Sequence, residues 1–488
     1  MTKLKQFIEE NNNKNIHIAG FSSAEGSAIL EFLIMSGFKN LTLHDSQSEE
    51  NLFTSFQETH KELGTDELKT KYEKLKNLPY KTYFQENYLE GIENADLIFV
   101  SQAWYKYSSN DKMKGLQGKI PFINMTNLYL ELSPCKIIGI TGTNGKSSTA
   151  KLISDMYSAS NFTSYFAGND RLNRQVLDKL HLMKEDEYLI LEMSNRQLMS
   201  VSSSPNIAVY TNLTPDHFDD HGSIENYYAV KQNLIHFQKP NDLAIINLDD
   251  SVILGFAKLT PAKKLYYSLH HDLEKEKIEG AYLKDNIICL NIKGRVTEII
   301  NKDELSLKGS HNLSNAMTAI LASYHEEIPV ATIVETLKAH KGLRYRNQFV
   351  KTIRGIHYYN DLNSTVPEAT IAAMSTFEEK DIFLILGGED KGLDYSKLAQ
   401  YIVERGRTKV ILLPGTGTDK ILRELHKENA SKETIILKEC LDDAVIYADT
   451  SGKPEDIVLL SPACAYFFSR YTRLVTHGDE SWLDVISQ

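Results

Sequence analysis

Residues 139–149 read Gly-Ile-Thr-Gly-Thr-Asn-Gly-Lys-Ser-Ser-Thr. A strand-like run, KIIGI, precedes them and a helix-like run, TAKLISDMYSAS, follows. A phosphate-binding loop requires that context. Glycines let backbone N–H groups converge on phosphate oxygens, and the start of the helix turns its dipole on the same anion. In this reading Gly142, Thr143, Asn144 and Gly145 form the loop. Lys146 neutralises the β- and γ-phosphates, and the hydroxyl of Ser147, with Ser148 beside it, faces Mg²⁺. The usual pattern puts four residues between its outer glycines. Here Gly142 is two residues closer and Gly139 one residue too far, so the loop is a variant.

Two later segments carry further chemistry. The run YLIL ends in Glu192. A carboxylate at the carboxyl end of a strand beside a phosphate-loop strand can reach Mg²⁺; the alternative is a solvent-facing glutamate. The run IAVYTN leads into Thr211-Asn-Leu-Thr-Pro-Asp-His-Phe-Asp-Asp-His-Gly222. His217 in this loop is either a metal ligand or a structural hydrogen-bonding group, since Mg²⁺ prefers oxygen. Lys231 lies 14 residues after His217 on a helical pattern. Taken alone, it reads as a solvated helix lysine.

The elements that position these groups follow from periodicity. Short apolar runs (IHIAG, LIFVS, IIGIT, YLILE, IAVYTN, LAIINL, IFLILGG, KVILLPG, IVLLSP) alternate with amphipathic stretches. Such runs read as buried parallel strands, and the alternation predicts an α/β class. At 488 residues the chain has room for about three domains. Boundaries near 132–135 and 342–346 divide it into 1–134, 135–343 and 344–488. Residues 262–308 (KLYYSL, IICLNI, VTEII) read as a small strand-rich excursion within the middle piece. Near the amino terminus, IHIAG runs into Gly20-Phe-Ser-Ser-Ala-Glu-Gly26, a helix and the strand NLTLHD, which ends in Asp45. That unit is either half of a nucleotide-binding domain or a plain structural turn.

Composition excludes other classes. The net charge, 54 − 65 = −11, argues against general nucleic-acid or anionic-membrane binding. Cys135, Cys289, Cys440 and Cys464 form no C-x-x-C pair, so neither a zinc site nor a disulfide framework is indicated. The start, MTKLKQFIEENNNKN, has no apolar signal core, and no apolar run approaches the ~18 residues needed to span a bilayer. A cytoplasmic, monomeric protein is expected.

The blocks GITGTNGKSST, EMSNRQL, TNLTPDHFDDHGS with its later Tyr and Lys, INLDD, GSHNLSNAMTAI, GLRYR, ND…T, LGGEDKG and LLSPACA stand in this order from 139 to about 465. Together they resemble the Mur ligase superfamily. Its members join an amine to a carboxylate at the expense of ATP. The resemblance implies a Rossmann-like UDP-substrate domain, a central ATPase domain with a mostly parallel sheet, and a mobile Rossmann-like carboxy-terminal domain for the amino acid. It implies that Lys146 and Ser147 hold ATP phosphates and Mg²⁺, with two ions expected. Glu192 and His217 match Mg²⁺ ligands, and Lys231 matches a lysine carbamylated by CO₂ in several members. Asn312 and Asn315 match adenine-side contacts, Arg346 an arginine that reaches the γ-phosphate, and Asp361 a ribose contact. Lys391 matches a lysine that binds the incoming amino acid. Asp45 matches a uracil contact, and Ser194, Thr365 and Tyr466 fall at substrate-facing positions. LEMSNRQL, GGEDKG and LLSPACA favour the branch that adds D-glutamate to UDP-N-acetylmuramoyl-L-alanine for peptidoglycan.

Departures from the family pattern concentrate around substrates. Tyr345-Arg346 stands where an HR pair is usual, and Asn363 replaces a lysine while Thr365 is kept. Tyr466 occupies a serine position, and Ser101-Gln-Ala-Trp104 replaces S-P-G-I. These leave three other readings: a ligase for another amino acid such as L-glutamate, a ligase for a non-UDP acceptor as in folylpolyglutamate synthases, and an inactive nucleotide-binding regulator.

Overall fold

The structure is a computed structural model that describes residues 2–60, 63–168, 175–213, 223–307, 309–343, 345–390 and 392–464. All nine apolar runs singled out above form strands. They belong to three sheets.

The first sheet comprises β1 (Ile16–Ala19), β2 (Leu41–Asp45), β3 (Lys81–Phe84), β4 (Leu97–Val100) and β5 (Phe122–Ile123). Its order is β3-β2-β1-β4-β5 and every pairing is parallel. Crossovers run one way from β1 and the other way to β4. The crevice outside the carboxyl ends of β1 and β4 is therefore a topological switch point. Helix α1 (Ala24–Met35) begins beyond a tight turn, with the Ser23 hydroxyl capping the Gly26 N–H. A Cβ at Gly26 would come within 2.1 Å of the Gly20 carbonyl oxygen, so only glycine lets helix and strand approach this closely. Helix α2 (Met125–Leu132) leads out of this sheet.

The second sheet contains β6 (Lys136–Thr141), β7 (Ser164–Ala167), β8 (Tyr188–Glu192), β9 (Ile207–Tyr210), β10 (Leu243–Asn247), β11 (Lys263–Ser268), β12 (Gly280–Lys284), β13 (Ile287–Ile292) and β14 (Arg295–Asn301). Its order is β14-β13-β12-β11-β10-β9-β6-β8-β7, so β6 is interior and flanked by β8 and β9. Side chains of β6 alternate as the pleat requires. Ile137 faces one buried cluster; Ile138 and Ile140 face another. Helices α3 (Lys146–Ala159) and α5 (Ser310–His325) cover the Ile138 face, and α4 (Ile224–His236) covers the opposite one. The cluster containing Ile137 also takes in Ile16, Phe99 and Leu128, so the first two sheets share apolar core. Residues 1–306 and 310–340 accordingly form one compact unit.

The stretch 262–308 differs from expectation. Its strands do not bud off as an excursion; β11 to β14 extend the same sheet. The switch to antiparallel pairing after β12 comes from two-residue turns. Asp285-Asn286 (φ 48°, 67°) and Lys293-Gly294 (φ 51°, 74°) have the doubly left-handed backbone that fits hairpin twist.

Residues 307–309 and 341–488 form a second unit. Its sheet runs β15 (Gln348–Ile353), β16 (Ile356–Asn360), β20 (Ile457–Leu460), β17 (Ile382–Leu386), β18 (Thr408–Leu412) and β19 (Ile435–Leu437), all parallel except β15. Helix α6 (Pro367–Ser375) follows β16. Among the described residues no helix is long and apolar enough to cross a membrane.

Candidate active site

The phosphate loop occupies the break between β6 and α3. Gly142 (φ 154°) and Gly145 (φ 81°) have backbone that only glycine adopts cheaply. A Cβ on Gly142 would lie 1.9 Å from Thr211 Oγ1, and one on Gly145 would lie 2.3 Å from Asn315 Oδ1. Gly139 is a strand residue, and a Cβ there would strike Pro205 at 2.6 Å. Its glycine therefore answers to packing, which explains why the motif spacing looked irregular. The end of β9 clamps the loop from the side. Thr143 N–H donates to the Asn212 carbonyl (2.8 Å), Asn144 N–H to Asn212 Oδ1 (3.0 Å), and Thr211 Oγ1 to the Asn144 carbonyl (2.5 Å). Lys146 Nζ donates to the carbonyls of Gly142 (3.0 Å) and Thr143 (2.6 Å), folded back over the loop it follows. Ser147 is buried at the start of α3, and Ser148 is half-buried.

Lys231 is not the solvated lysine its sequence position suggests. It is 1% exposed, and Nζ donates to Thr141 Oγ1 (2.9 Å) and the Gly142 carbonyl (3.1 Å). The Thr141 hydroxyl donates to the Met193 carbonyl (2.6 Å), and the Tyr210 hydroxyl donates to the Lys231 carbonyl (2.8 Å). Glu192 ends β8 as expected and is 4% exposed. Its Oε2 is buried with no hydrogen-bond partner among the described residues. A buried carboxylate oxygen left unpaired is costly in a polar protein and suits a cation. Together with the Ser147 hydroxyl it fits a hard, oxygen-seeking ion such as Mg²⁺. Gly142, Thr143, Lys146, Ser194, Tyr227 and Lys231 line one cavity of about 110 Å³.

Ser194 caps the short helix Asn195–Leu198 and donates to Gln102 Oε1 (3.0 Å), just past β4. The Gln102 N–H in turn donates to Glu25 Oε2 (2.7 Å) on the first turn of α1. Burial raises the Glu25 carboxyl to about 7, and the Gln102 N–H works against that rise. Asp45 is 3% exposed; its Oδ2 accepts from Ser22 N–H (3.1 Å) and Oγ (2.6 Å), and its Oδ1 from Gln47 N–H (3.0 Å). Burial pushes its carboxyl upward against those bonds.

Asn315 is buried beneath the loop, its Oδ1 accepting from Thr149 Oγ1 (3.3 Å), while Asn312 is half-buried on the first turn of α5. In the second unit Arg346 is exposed and Thr365 half-buried. Asp361 is buried; it accepts from Asn347 N–H (2.9 Å) and Ser461 Oγ (2.7 Å), and burial raises its carboxyl to about 6. His217, Lys391 and Tyr466 lie outside the described residues. Sequence reasoning missed Thr141 and gave Tyr227 no role. Tyr227 Oη lies 3.0 Å from Thr143 Oγ1, and the Lys231 ammonium sits 5.6 Å from its ring. The i,i+4 spacing of Tyr227 and Lys231 on one helix was the available signal.

Residues 140–323 match the family model described as the Mur ligase middle domain. The chain is 32% identical to the UDP-N-acetylmuramoylalanine--D-glutamate ligase of Thermoanaerobacter sp. (strain X514), over 82% of this chain and 86% of that one. It is 28% identical to the enzyme of the same name from Clostridium botulinum (strain 657 / Type Ba4), over 98% and 97%. Among solved structures it is similar to the UDP-N-acetylmuramate-alanine ligase MurC from Thermotoga maritima (TM-score 0.55, 16% identity, 94% of this chain and 100% of that one). It is also similar to a pseudomurein peptide ligase type C from Methanothermus fervidus (TM-score 0.52, 17% identity, 95% and 99%). The structural likenesses speak for the fold alone. A sequence match that runs through all three sheets goes well beyond a shared phosphate loop, and the chain belongs to the Mur ligase family.

Proposed function

We propose that the protein joins the amine of D-glutamate to the carboxylate of UDP-N-acetylmuramoyl-L-alanine, with ATP converted to ADP and phosphate, in peptidoglycan precursor synthesis. The observation that carries this reading is Lys231, fully buried against the base of the phosphate loop. Phosphate binding alone needs no second lysine there. The names of the similar ligases supply the substrates.

A free carboxylate acylates poorly because its leaving group would be oxide. The acceptor carboxylate therefore attacks the γ-phosphorus, the bond to the β-phosphate oxygen breaks, and ADP leaves. The amine then attacks the acyl phosphate carbonyl. The tetrahedral intermediate expels phosphate, and the amine loses its proton as the amide forms. Lys146 and Arg346 stabilise charge on the equatorial oxygens during transfer. The amides at the start of α3, from Gly145 to Ser148, orient the phosphates, while those of Thr143 and Asn144 tie the loop to Asn212. Ser147, Glu192, His217 and carbamylated Lys231 would hold Mg²⁺, two ions in this reading, which when bound offsets repulsion between carboxylate and polyphosphate. Carbamylation requires the Lys231 ammonium to lose one proton; the neutral Nζ then forms an N–C bond to CO₂ and releases a second, so a cation becomes an anionic oxygen ligand. Asn312 and Asp361 serve the adenosine, and Asn315, placed under the loop, braces the phosphate end. Asp45 and Ser194 serve the acceptor; Thr365, Lys391 and Tyr466 serve the amino acid. Residues 1–134, 135–343 and 344–488 thus divide into acceptor, ATP and amino-acid functions. In this reading the working unit is a monomer in the cytoplasm, a setting with which the four free cysteines agree.

The test is phosphate release from ATP with UDP-N-acetylmuramoyl-L-alanine and each amino acid in turn. Stimulation by D-glutamate is expected. Stimulation by another amino acid alone would move the assignment within the family, and none with any pair would sink it.

A further inference from the structure

Arg346 stands between two residues with left-handed backbone, Tyr345 (φ 60°) and Asn347 (φ 45°). Asparagine tolerates that region; tyrosine does so rarely. Such a turn persists only where its surroundings hold it. Here nearly everything around Arg346 is tied down. Tyr345 N–H donates to Gln348 Oε1 (3.0 Å), and its carbonyl accepts from Asn363 N–H (3.0 Å). The Tyr345 ring packs against the buried cluster around Tyr358 and Leu362. Asn347 N–H donates to Asp361 Oδ1 (2.9 Å). The Asn347 carboxamide nitrogen donates to Thr376 Oγ1 (2.9 Å), at the end of α6, and to the Ala373 carbonyl (3.4 Å). Its Oδ1 is buried with no hydrogen-bond partner among the described residues. A carboxamide satisfied on one side only is a poor choice for stability, and exceptions of this kind call for another explanation. Of the three residues only Arg346 is exposed, and its charge acts on the neighbouring Asp361 carboxyl.

We infer that Asn347 is a positioning residue for Arg346: its side chain, anchored on Thr376, holds the left-handed turn that presents the guanidinium. The inference rests on the proposed role of Arg346 at the γ-phosphate. It also gives Asp361 a second task, since its carboxylate fixes the Asn347 amide from the other side.

The experiment compares Asn347→Gly in two backgrounds. Glycine keeps the left-handed backbone and the N–H bond to Asp361 but loses the anchor on Thr376. In the wild-type background kcat should fall about tenfold, with KM for acceptor and amino acid within about twofold and an unchanged melting temperature. Thr376→Val should copy this loss, and Thr376→Ser, which keeps the hydroxyl, should not. In an Arg346→Lys background Asn347→Gly should cost less than about twofold more, because the group it positions is already gone. An equal tenfold cost in both backgrounds would mark a structural role and overturn the inference, as would wild-type kcat in Asn347→Gly. Wild-type rates in both Arg346→Lys and Arg346→Ala would overturn the proposed role of Arg346 and this inference with it.

Discussion

The molecule uses strand–glycine turn–helix twice within its first unit, with lysines at one tip and carboxyl groups at the other. After β6, the turn carries Lys146 folded back over it and has Lys231 packed against its base. After β1, the corresponding turn is closed by the protein's own carboxylates. Asp45 takes the Ser22 N–H and hydroxyl, and Glu25 takes the Gln102 N–H from across the switch point. Both turns need glycine for the same two reasons. Gly20 (φ 74°), Gly142 and Gly145 need it for backbone shape, and Gly26, Gly142 and Gly145 need it for space. Architecture alone therefore does not say what a glycine turn binds. The side chains that reach it from neighbouring strands do.

The largest effect expected from breaking this contrast is at Lys231. Lys231→Ala removes the ammonium that donates to Thr141 Oγ1 and the Gly142 carbonyl, and with it the carbamate proposed for that position. The turnover rate should drop by roughly 10²–10³, within the range lost when one transition-state electrostatic group is removed. Short-chain carboxylic acids such as acetate or propionate should restore part of it, since they can supply the missing carboxylate. Near-wild-type turnover of the unrescued variant would refute the carbamate role. A dead variant that no acid rescues would point to a packing role for the buried side chain.

Much of this contrast could be read from the sequence, and the limits are physical. The strands were legible because fully buried parallel strands are continuous apolar runs, as in LIFV and IFLIL. Edge strands such as β3 and β15, half-exposed, carry no such signature. The loop residues Gly142 to Ser147 were legible because anion binding at a helix start demands particular residue types in consecutive order. Lys231 was legible only through family resemblance, because burial of a helix lysine depends on which strand passes beneath it. Asp45 stands at the end of β2 as expected, but its occupation by Ser22 depends on a turn 23 residues away in sequence. The link from Glu25 through Gln102 to Ser194 joins three distant segments, and no local pattern announces it.

A smaller, structural effect separates the two turns. In Gly26→Ala the new methyl meets the Gly20–Phe21 backbone: the Gly20 carbonyl oxygen at 2.1 Å and Phe21 Cα at 2.8 Å. Backbone cannot swing away as a side chain can, so about 2–4 kcal/mol of stability should be lost. The acceptor KM should rise while nucleotide affinity, measured by calorimetry with ADP, stays near wild type. Equal loss of nucleotide binding would show that the two turns are coupled through the shared core and are not separate devices.

The smallest effect is electrostatic and concerns Glu25. Burial raises its carboxyl from the usual carboxylate range to about 7. Between about pH 4.5 and 7 the folded protein thus holds a proton that the unfolded chain has released. By linkage, stability from this group is greatest at the acid end and declines as pH rises through that window. A shift of that size sets an upper limit near 3 kcal/mol. Glu25 is partly exposed, so solvent screening reduces the usable part to about 1–2 kcal/mol. Glu25→Gln keeps an acceptor for the Gln102 N–H and removes the titration. Denaturant melts at pH 5 and pH 7.5 should therefore show the variant gaining on wild type at the higher pH by about that amount, with little difference at pH 5. The same pH dependence in both proteins would mean that Glu25 is solvated well enough to titrate normally. The β1 turn would then carry an open negative charge, and its contrast with the β6 turn would be one of simple charge sign instead of a buried, proton-holding closure.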